Sequence, residues 1–544
     1  MKLVRALAAL VLSIPRNGLA QNARLLRYCI YIPLKMKLYP LLLVIYRGYL
    51  VVERRLLLNR RLNALRDRAD ELVDQGERSR VSLDDLIASR QQVDAIRRAQ
   101  EPQATLVIAE IDQDGNWLSH FGEIPAVPMV SGDRFLERKR YRLQVVLHRD
   151  EVGVRKHFGR DRLSFVNEVT ILDLLAKAGC DAPPILDVDV EGLSLTVGYL
   201  KGRVLREELA RSGADLRDRE AGHDEGLSRS ELGERRRLRI EEGRRVLHRV
   251  IDEAFTERAF EELSRMHAAR VVWRDIKYGN MIIEDGSGAP FLIDFDLSFD
   301  CPRLSAEMFT RLRDGDIEKF NEHFGTEKLT YERLAEKLKG MKVYAPVYFG
   351  AGLRAGPIWR VDNGFGRWHY ILKHNYPPFV GKRILDLGPN NGHNAMQLLR
   401  EGARAVVGVE LDEAFIEQAK LVKAGYEWAD NKTYDFTVIQ SNMAEIPRLG
   451  LGEFDIVQAL CSLYYLSEEQ MNEVARFVGT ISEYFLLQCN LQSDIGRDDA
   501  QTYEKATVEF AVALLEKNGF EVVKVVAPFR YARPLVLGRR RSGT

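Results

Sequence analysis

The chain has 544 residues, 46% hydrophobic and 29% charged, which is material for several buried cores and, by length, about three or four domains. Its 80 basic and 79 acidic residues leave a net charge of +1, which argues against a general nucleic-acid binder. Five scattered cysteines without C-x-x-C spacing argue against a disulfide framework or zinc site and fit a reducing compartment.

Residues 1–52 contain no Asp or Glu. Lys2 and Arg5 followed by Ala6 to Ile14 imitate a signal peptide, with small residues at Gly18 and Ala20 as a cleavage site. The cysteine usage opposes secretion. Further on, Lys35, Lys37 and Arg47 are interleaved with five tyrosines from Tyr28 to Tyr49. The longest uncharged part, Leu38 to Tyr46, is far short of the ~20 residues that span a bilayer. Basic and aromatic residues on an apolar helix suit one lying among lipid headgroups, with a helix pair packed on the protein as the alternative. The expectation is a membrane-associating segment over 1–52, peripheral at the inner face of the cytoplasmic membrane.

Over 53–100 the pattern turns helical. Val51, Leu58, Leu65 and Leu72 repeat every seven residues, with Leu62 and Ala69 between them. Such a stripe makes either a short coiled coil, and hence a homo-oligomer, or an amphipathic helix packed on its own domain. Ser82 and Asp85 have capping-box spacing for a second helix running to Ala99.

Next comes Thr105 to Ile111, which alternates as a strand, followed by a turn at Asp114 and Gly115. Phe135 to Val154 predicts paired strands turning at Arg149 to Gly153. Lys156 lies just beyond, and Glu168, twelve residues on, opens a helix from which it could pair with that lysine. Leu193 to Leu200 is again a strand. Arg206 to Arg245 is densely charged, a solvated helical insertion that could dock an anionic partner. An amphipathic helix from Phe260 to Ala269 leads into Trp273 to Asp296. There Asp275 and Asn280 sit five apart, strand Met281 to Glu284 follows, and a turn at Gly286 to Gly288 leads to a strand that delivers Asp294. Such a hairpin gathers three oxygen-bearing side chains at one end. Phosphoryl transfer needs that set: an aspartate to orient the attacking hydroxyl, and an Asn and an Asp to hold Mg2+.

On those residues, ~135 to 300 resembles the protein-kinase-like superfamily, including its RIO-type and lipopolysaccharide-kinase branches. Trp273 stands where that family has His, and Asp296 where it has Gly. The resemblance implies a bilobal kinase-like domain over 101–341. In it Lys156 would hold the ATP phosphates, Glu168 would orient Lys156, and Tyr199 to Gly202 would be the adenine hinge. Asp275 would accept the hydroxyl proton, Lys277 would offset γ-phosphate charge, and Asn280 with Asp294 would bind Mg2+. No G-x-G-x-x-G precedes Lys156; Arg138, Lys139 and Arg140 offer charge in its place. No A-P-E follows Asp296, which points to a small or glycan hydroxyl rather than a protein acceptor.

The last part, 342–544, opens with a Gly- and aromatic-rich approach. It continues as strand, glycine turn and helix, with Asp386, Gly388 and Gly392 at the turn. Glycines there let backbone amides approach a ligand at a helix N-terminus. Ala405 to Val409 is a second strand ending at Glu410, Phe436 to Ile439 a third ending near Asn442, and Phe454 to Leu460 a fourth. This alternation predicts a parallel, doubly wound sheet. The pattern is similar to the class I S-adenosylmethionine methyltransferases. That implies Asp386, Gly388 and Gly392 at the methionine end of S-adenosylmethionine, Glu410 at the ribose, and Ser441, Asn442 and Met443 at the adenine, with Asn442 in place of a frequent Asp. The segment ending in Trp368, His369 and Tyr370, and the run Cys461 to Tyr465, look like a tRNA wobble-uridine modifying branch, with Tyr465 where that branch has His. His369, His374 and Tyr464 are open between substrate contact and aromatic packing.

The expected fold is thus α+β and α/β multidomain: N-terminal helices, a kinase-like bilobal domain, then a Rossmann-like methyltransferase domain. Both modules together resemble bifunctional bacterial O-antigen chain terminators, with the modules in reverse order. That likeness implies ATP-Mg2+ and S-adenosylmethionine as cofactors and a lipid-linked glycan or related small molecule as acceptor. The alternative is a methyltransferase with a small-molecule or RNA substrate, governed by a nucleotide-sensing pseudokinase.

Overall fold

A computed structural model describes residues 55–73, 81–100, 105–111, 117–121, 142–214, 229–343, 346–350, 352–356, 367–490, 504–527 and 533–541, with isolated helical positions between 41 and 52. The rest of the expected membrane segment, the turn at Asp114, and Arg138 to Arg140 lie outside the described residues. Among the described residues no helix is long and apolar enough to cross a membrane. The chain divides into two compact units, one over Pro40–Lys328 and one containing Leu329–Thr544.

In the first unit, helix α1 (Leu58–Asp67) and the one-turn helix Ala69–Leu72 carry the leucine stripe. Leu62, Leu65 and Leu72 are buried in the same core as Val145 and Leu172. Arg66 and Arg68 fasten this segment to Glu191 at 2.7 Å and Asp173 at 3.7 Å. The heptad is therefore spent on its own domain, which corrects the coiled-coil expectation: an apolar stripe says that a face is covered, not by what. The capping box of Ser82 and Asp85 forms, but it opens only Leu83–Leu86, because Ile87 turns extended. Helix α2 (Arg90–Gln100) follows separately. Val81 O accepts the Val152 N–H at 2.9 Å, so residues 53–100 belong to this unit and are no free linker.

Its main sheet is antiparallel, in the order β2-β1-β3-β4-β6-β5: β1 (Thr105–Ile111), β2 (Trp117–Ser119), β3 (Arg142–His148), β4 (Glu151–His157), β5 (Ile185–Asp189) and β6 (Ser194–Gly198). Strands β3 and β4 form the expected hairpin, with Arg149 at φ 56° in its two-residue turn. Helix α3 (Arg162–Lys177), capped by Asp161, buries Phe165, Val166, Val169 and Leu172. A second part of the unit is mainly helical, with α4 (Arg229–Leu247), α5 (Glu253–Ala268) and α6 (Ala306–Phe324) around a small sheet. That sheet runs β9-β8-β7, from β7 (Gly202–Val204), β8 (Met281–Glu284) and β9 (Pro290–Leu292). Within the charged insertion, α4 is mostly exposed but packs Gly243 on the Tyr278 ring, where a Cβ would lie 2.3 Å from Cε2.

The second unit begins earlier than the expected 342: Leu334 and Leu338 are already buried in its core with Val347, Phe349 and Trp368. Its seven-stranded sheet runs β12-β11-β10-β13-β14-β16-β15. The strands are β10 (Arg383–Leu387), β11 (Ala405–Glu410), β12 (Phe436–Gln440), β13 (Phe454–Leu460), β14 (Ser482–Gln488), β15 (Phe520–Val526) and β16 (Leu535–Arg540). Strands β10 to β14 are parallel, as expected from the βαβ alternation. Strand β16 departs from that: it runs antiparallel between β14 and β15. Helices α7 (His393–Arg400), α8 (Glu413–Asp430), α9 (Glu468–Ile481) and α10 (Val508–Lys517) connect the strands. Strand order reverses at β10, whose neighbours are β11 and β13, and the crevice beyond such a switch point is where open α/β sheets bind ligands.

Candidate functional site

In the first unit, β8 and β9 pair Met281 with Leu292, and the Ile293 N–H donates to Asn280 O at 3.1 Å. This register sets Asn280 beside Asp294, as the hairpin spacing predicts. Asn280 Nδ2 donates to the Asp275 carboxylate at 2.9 Å and to its carbonyl at 3.0 Å; Lys277 Nζ reaches the same carboxylate at 2.6 Å. Lys156 on β4 pairs with Glu168 on α3 at 2.6 Å and with Asp294 at 3.3 Å. Burial alone would depress the Lys156 ammonium, but Glu168, Asp294 and Asp296 together raise it. Burial, with Asp294 and Asp296, pushes the Glu168 carboxyl up to about 7 against the pull of Lys156. Asn280 and Asp294 offer oxygen donors only, the ligand type that Mg2+ prefers, and two protein ligands suffice for an ion that keeps several waters.

Several supports were not expected from the sequence. Asn167, buried on α3, donates to the carbonyls of Phe295, Asp296 and Ser298 at 3.1, 2.7 and 3.0 Å. It thereby holds the loop that presents Asp294, itself at φ 63°. Asp316 on α6 accepts the Trp273 N–H at 2.7 Å, the Arg274 N–H at 2.8 Å and a contact from His267 Nε2 at 3.2 Å. This gives His267 a hydrogen-bonding part. Trp273, fully buried, donates its indole N–H to Asp294 O at 3.3 Å and so ties the two loops together. Asn167 directly after the apolar Val166 was the available signal, and a weak one.

In the second unit, a cavity of about 580 Å³ opens at the switch point, a volume typical of small-molecule sites. Asp386 at the end of β10, Gly388 and Glu410 at the end of β11 line it. Gly388 sits at φ 78°, and a Cβ there would lie 2.8 Å from Ser462 Cβ; Gly392 sits at φ 71°, with Phe436 Cε1 2.6 Å away from the same atom. Both positions need glycine on both counts. Glu410 accepts N–H groups of Asn390 at 3.0 Å, Leu411 at 2.9 Å and Asp412 at 3.2 Å, which fixes its carboxylate at the cavity wall. Asp386 is 1% exposed, and its Oδ1 has no hydrogen-bond partner among the described residues. Burial pushes its carboxyl up to about 7, against the pull of Gln458 and Arg367.

Asn442 is placed differently from the expectation. It lies outside the cavity lining, and its Oδ1 accepts the Ala444 N–H at 2.9 Å as a helix cap; of the run expected at the adenine, Met443 lines the cavity. Tyr464 lines the cavity and is buried, whereas Tyr465 lines it and is exposed. His374 is exposed and away from the lining, and the side chain of His369 lies outside the described residues. Sequence reasoning missed Arg367, whose Nε donates to Gln488 at 2.5 Å and whose Nη2 lies 3.3 Å from Cys461 Sγ at the cavity wall. The oxygen-rich wall, the glycine turn and the unpartnered Asp386 oxygen suit a nucleoside carrying a cationic amino-acid end.

Comparison with known proteins bears on this second site. The profile of the family described as "Methyltransferase domain" matches residues 384–480. The tRNA U34 carboxymethyltransferase of Psychromonas ingrahamii is 30% identical over 114 residues, 21% of this chain and 32% of that enzyme. Its counterpart in Photobacterium profundum is 27% identical over 114 residues, with the same shares. The chain thus spans about a third of the length of these relatives. Among solved structures, a putative S-adenosylmethionine dependent methyltransferase from Listeria monocytogenes is 19% identical, covering 33% of this chain and 99% of that one, at a TM-score of 0.27. A magnesium protoporphyrin IX methyltransferase from Synechocystis is 16% identical over 44% and 100%, also at 0.27. A methyltransferase domain thus falls within the second unit, over residues 384–480.

Proposed function

We propose that the chain is a two-site transferase: the second unit moves a methyl group from S-adenosylmethionine, and the first phosphorylates a hydroxyl with ATP and Mg2+. The observation that carries the second activity is the buried Lys156–Glu168–Asp294 cluster set beside Asp275, Lys277 and Asn280. The acceptor that fits best is a lipid-linked glycan or related metabolite at the cytoplasmic membrane face. Two features support it: the basic, aromatic, acid-free sequence of 1–52, and the short segment 295–328 that is all of this unit after Asp294, too little for a peptide-docking platform.

In the first unit, bound ATP and Mg2+ supply the phosphoryl group and neutralise its charge. Lys156, held by Glu168, is the cation for the phosphates; Asn280 and Asp294 are the metal ligands. Asp275 orients the acceptor hydroxyl and takes its proton, while Lys277 offsets charge next to it. In the second unit, S-adenosylmethionine when bound supplies an electrophilic methyl group. Glu410 would accept from the ribose hydroxyls and the Gly388 backbone would lie against the ligand; Gly392 lies outside the cavity lining and shapes the turn, and Arg367 and Tyr464 border the cavity where the methyl acceptor would sit. Transfer there depends on alignment more than on a strong base.

A second reading of the methyl acceptor is RNA, favoured by the 30% identity to a tRNA-modifying enzyme over 114 residues. Purified protein with labelled ATP, Mg2+ and a membrane glycolipid extract tests the leading reading. Label should enter the glycolipid and vanish in both Asp275→Ala and Asp294→Ala. Tight ATP binding with no transfer sensitive to those changes refutes the kinase and leaves a nucleotide-sensing neighbour. Label from S-adenosylmethionine in an RNA fraction rather than the glycolipid would move the acceptor to RNA.

A further inference from the structure

Beneath the cofactor cavity lies a polar set that the reading above leaves without a task. Asp386 on β10 and Gln458 on β13 are paired residues in neighbouring parallel strands. Both are buried, at 1% and 0% exposure, in the middle of a sheet whose buried positions are mostly apolar. The Tyr376 hydroxyl donates to Gln458 Oε1. Accepting that bond fixes which way the amide points, because its other end must then be the N–H2 group. Asp386 Oδ1 has no hydrogen-bond partner among the described residues, while the Gln458 amide acts on the same carboxyl as a hydrogen-bond donor that favours its charged form. A buried carboxyl oxygen left without a partner beside a cavity is costly, and a ligand group that completes it removes the cost.

We propose that Tyr376 and Gln458 are positioning residues: through the Gln458 amide they hold the Asp386 carboxyl toward the cavity and couple cofactor binding to loss of a proton from it. The proposal rests on the methyltransferase reading of this unit. Near neutral pH with an empty cavity, Asp386 keeps a proton for part of the time, because burial disfavours its charged form. A cationic group arriving in the cavity favours the carboxylate, and the proton leaves to solvent. The Gln458 N–H2 is then a donor to the new charge, and the Tyr376 hydroxyl keeps that donor aimed. The other charged or titratable groups facing Asp386 are Arg367, which favours its ionisation, Glu410, which opposes it, and Tyr376, whose own hydroxyl burial holds well above the usual tyrosine range. His393 of α7, Cys461, Tyr464 and Tyr465 after β13, and Arg533 line the same cavity.

The test is calorimetric titration of the full chain with S-adenosylhomocysteine at pH 6.5, in buffers of different ionisation enthalpy, repeated from pH 5.5 to 8.5. Wild type should release a fraction of a proton at pH 6.5, with affinity rising toward pH 8. Asp386→Asn should release none. Gln458→Leu should weaken binding by about tenfold and move the pH profile upward, and Tyr376→Phe should do the same to about threefold, the scale of one buried hydrogen bond. Gln458→Glu, isosteric but acidic, should move the profile upward further. A merely structural role would lower thermal stability and leave the profile in place, which would overturn the proposal. So would a wild type that binds without releasing a proton, or a well-folded Tyr376→Phe with an unchanged profile. If wild type binds neither S-adenosylhomocysteine nor S-adenosylmethionine at any pH, the methyltransferase reading itself fails, and the coupling with it.

Discussion

Replacing Lys156 with methionine keeps most of the side-chain volume and removes a buried cation from among Glu168, Asp294 and Asp296. The lysine and Glu168 side chains are 15% and 10% exposed, so solvent screens their 2.6 Å contact little. Removing one partner of a buried pair leaves uncompensated charge and costs about 3–5 kcal/mol, far above the value of a surface ion pair. Glu168, already pushed up by burial and its carboxylate neighbours, recovers part of that cost by binding a proton. The destabilisation must therefore depend on pH. An unfolded glutamate titrates near pH 4, whereas Glu168 in the Lys156→Met protein stays protonated to higher pH. Its folded state then binds more protons than its unfolded state, and stability falls as pH rises through that window. The expected loss is small at pH 5 and approaches the full value at pH 8.

Glu168→Gln is the informative partner. Its carboxyl is already pushed up to about 7, and an amide imitates the protonated form. Lys156 keeps Asp294 at 3.3 Å. The expected loss is about 1–2 kcal/mol, the scale of one charge-assisted hydrogen bond. Urea unfolding of the full chain at pH 5, 6.5 and 8 checks this, read by limited proteolysis within Pro40–Lys328 so that the two units are separated. A Lys156→Met protein as stable as wild type at pH 8, or equally destabilised at every pH, would refute the reasoning. Phosphate transfer should vanish in Lys156→Met and fall by a smaller factor in Glu168→Gln.

Other substitutions read the remaining supports. Gly392→Ala puts a Cβ 2.6 Å from Phe436 Cε1 at φ 71°; it should cost about 1–2 kcal/mol from the backbone alone and abolish S-adenosylhomocysteine binding by calorimetry. Asn167→Leu strips three carbonyls of their donor and should cost at least about 2–3 kcal/mol, with faster hydrogen exchange over 295–298 by mass spectrometry. Asn442→Ala should lower stability by about 1 kcal/mol through the lost cap and leave S-adenosylhomocysteine affinity within about twofold, because its side chain caps a helical turn and is not among the residues that line the cavity.

What the sequence made legible was local. The β8–β9 hairpin, the glycine turn after β10 and the acidic end of β11 are written in adjacent residues: alternating apolar runs, Gly where φ must be positive, a carboxylate one step past a strand. Lys156 and Glu168 were legible for a related reason, since a strand, a short turn and a helix leave little freedom between them. The misreadings share a cause as well. Asn442 was assigned to a ligand, but an Asn before a helical turn has a nearer acceptor task at the backbone, and the cap wins. The leucines of α1 were split between a partner chain and the chain's own core; the core holds them, and nothing in a heptad distinguishes the two.

Asn167, Asp316, Gln458 and Arg367 were invisible because their partners lie 128, 43, 82 and 121 residues away. Such bonds leave no periodic trace; of the four, only Gln458 stands out, as an isolated polar residue in an apolar run. Trp273 joins the two kinds of information. As a motif position it departs from the kinase-like pattern, which counts against function when letters are compared. As a side chain it fills the core completely and donates to Asp294 O, while its backbone N–H and that of Arg274 are received by Asp316. The departure in the letter therefore preserves the tie between the Asp275 loop and the Asp294 loop. Trp273→His should weaken that tie: imidazole leaves part of the indole volume empty and its N–H falls short of the carbonyl, so a change toward the family pattern should lower both stability and phosphate transfer here.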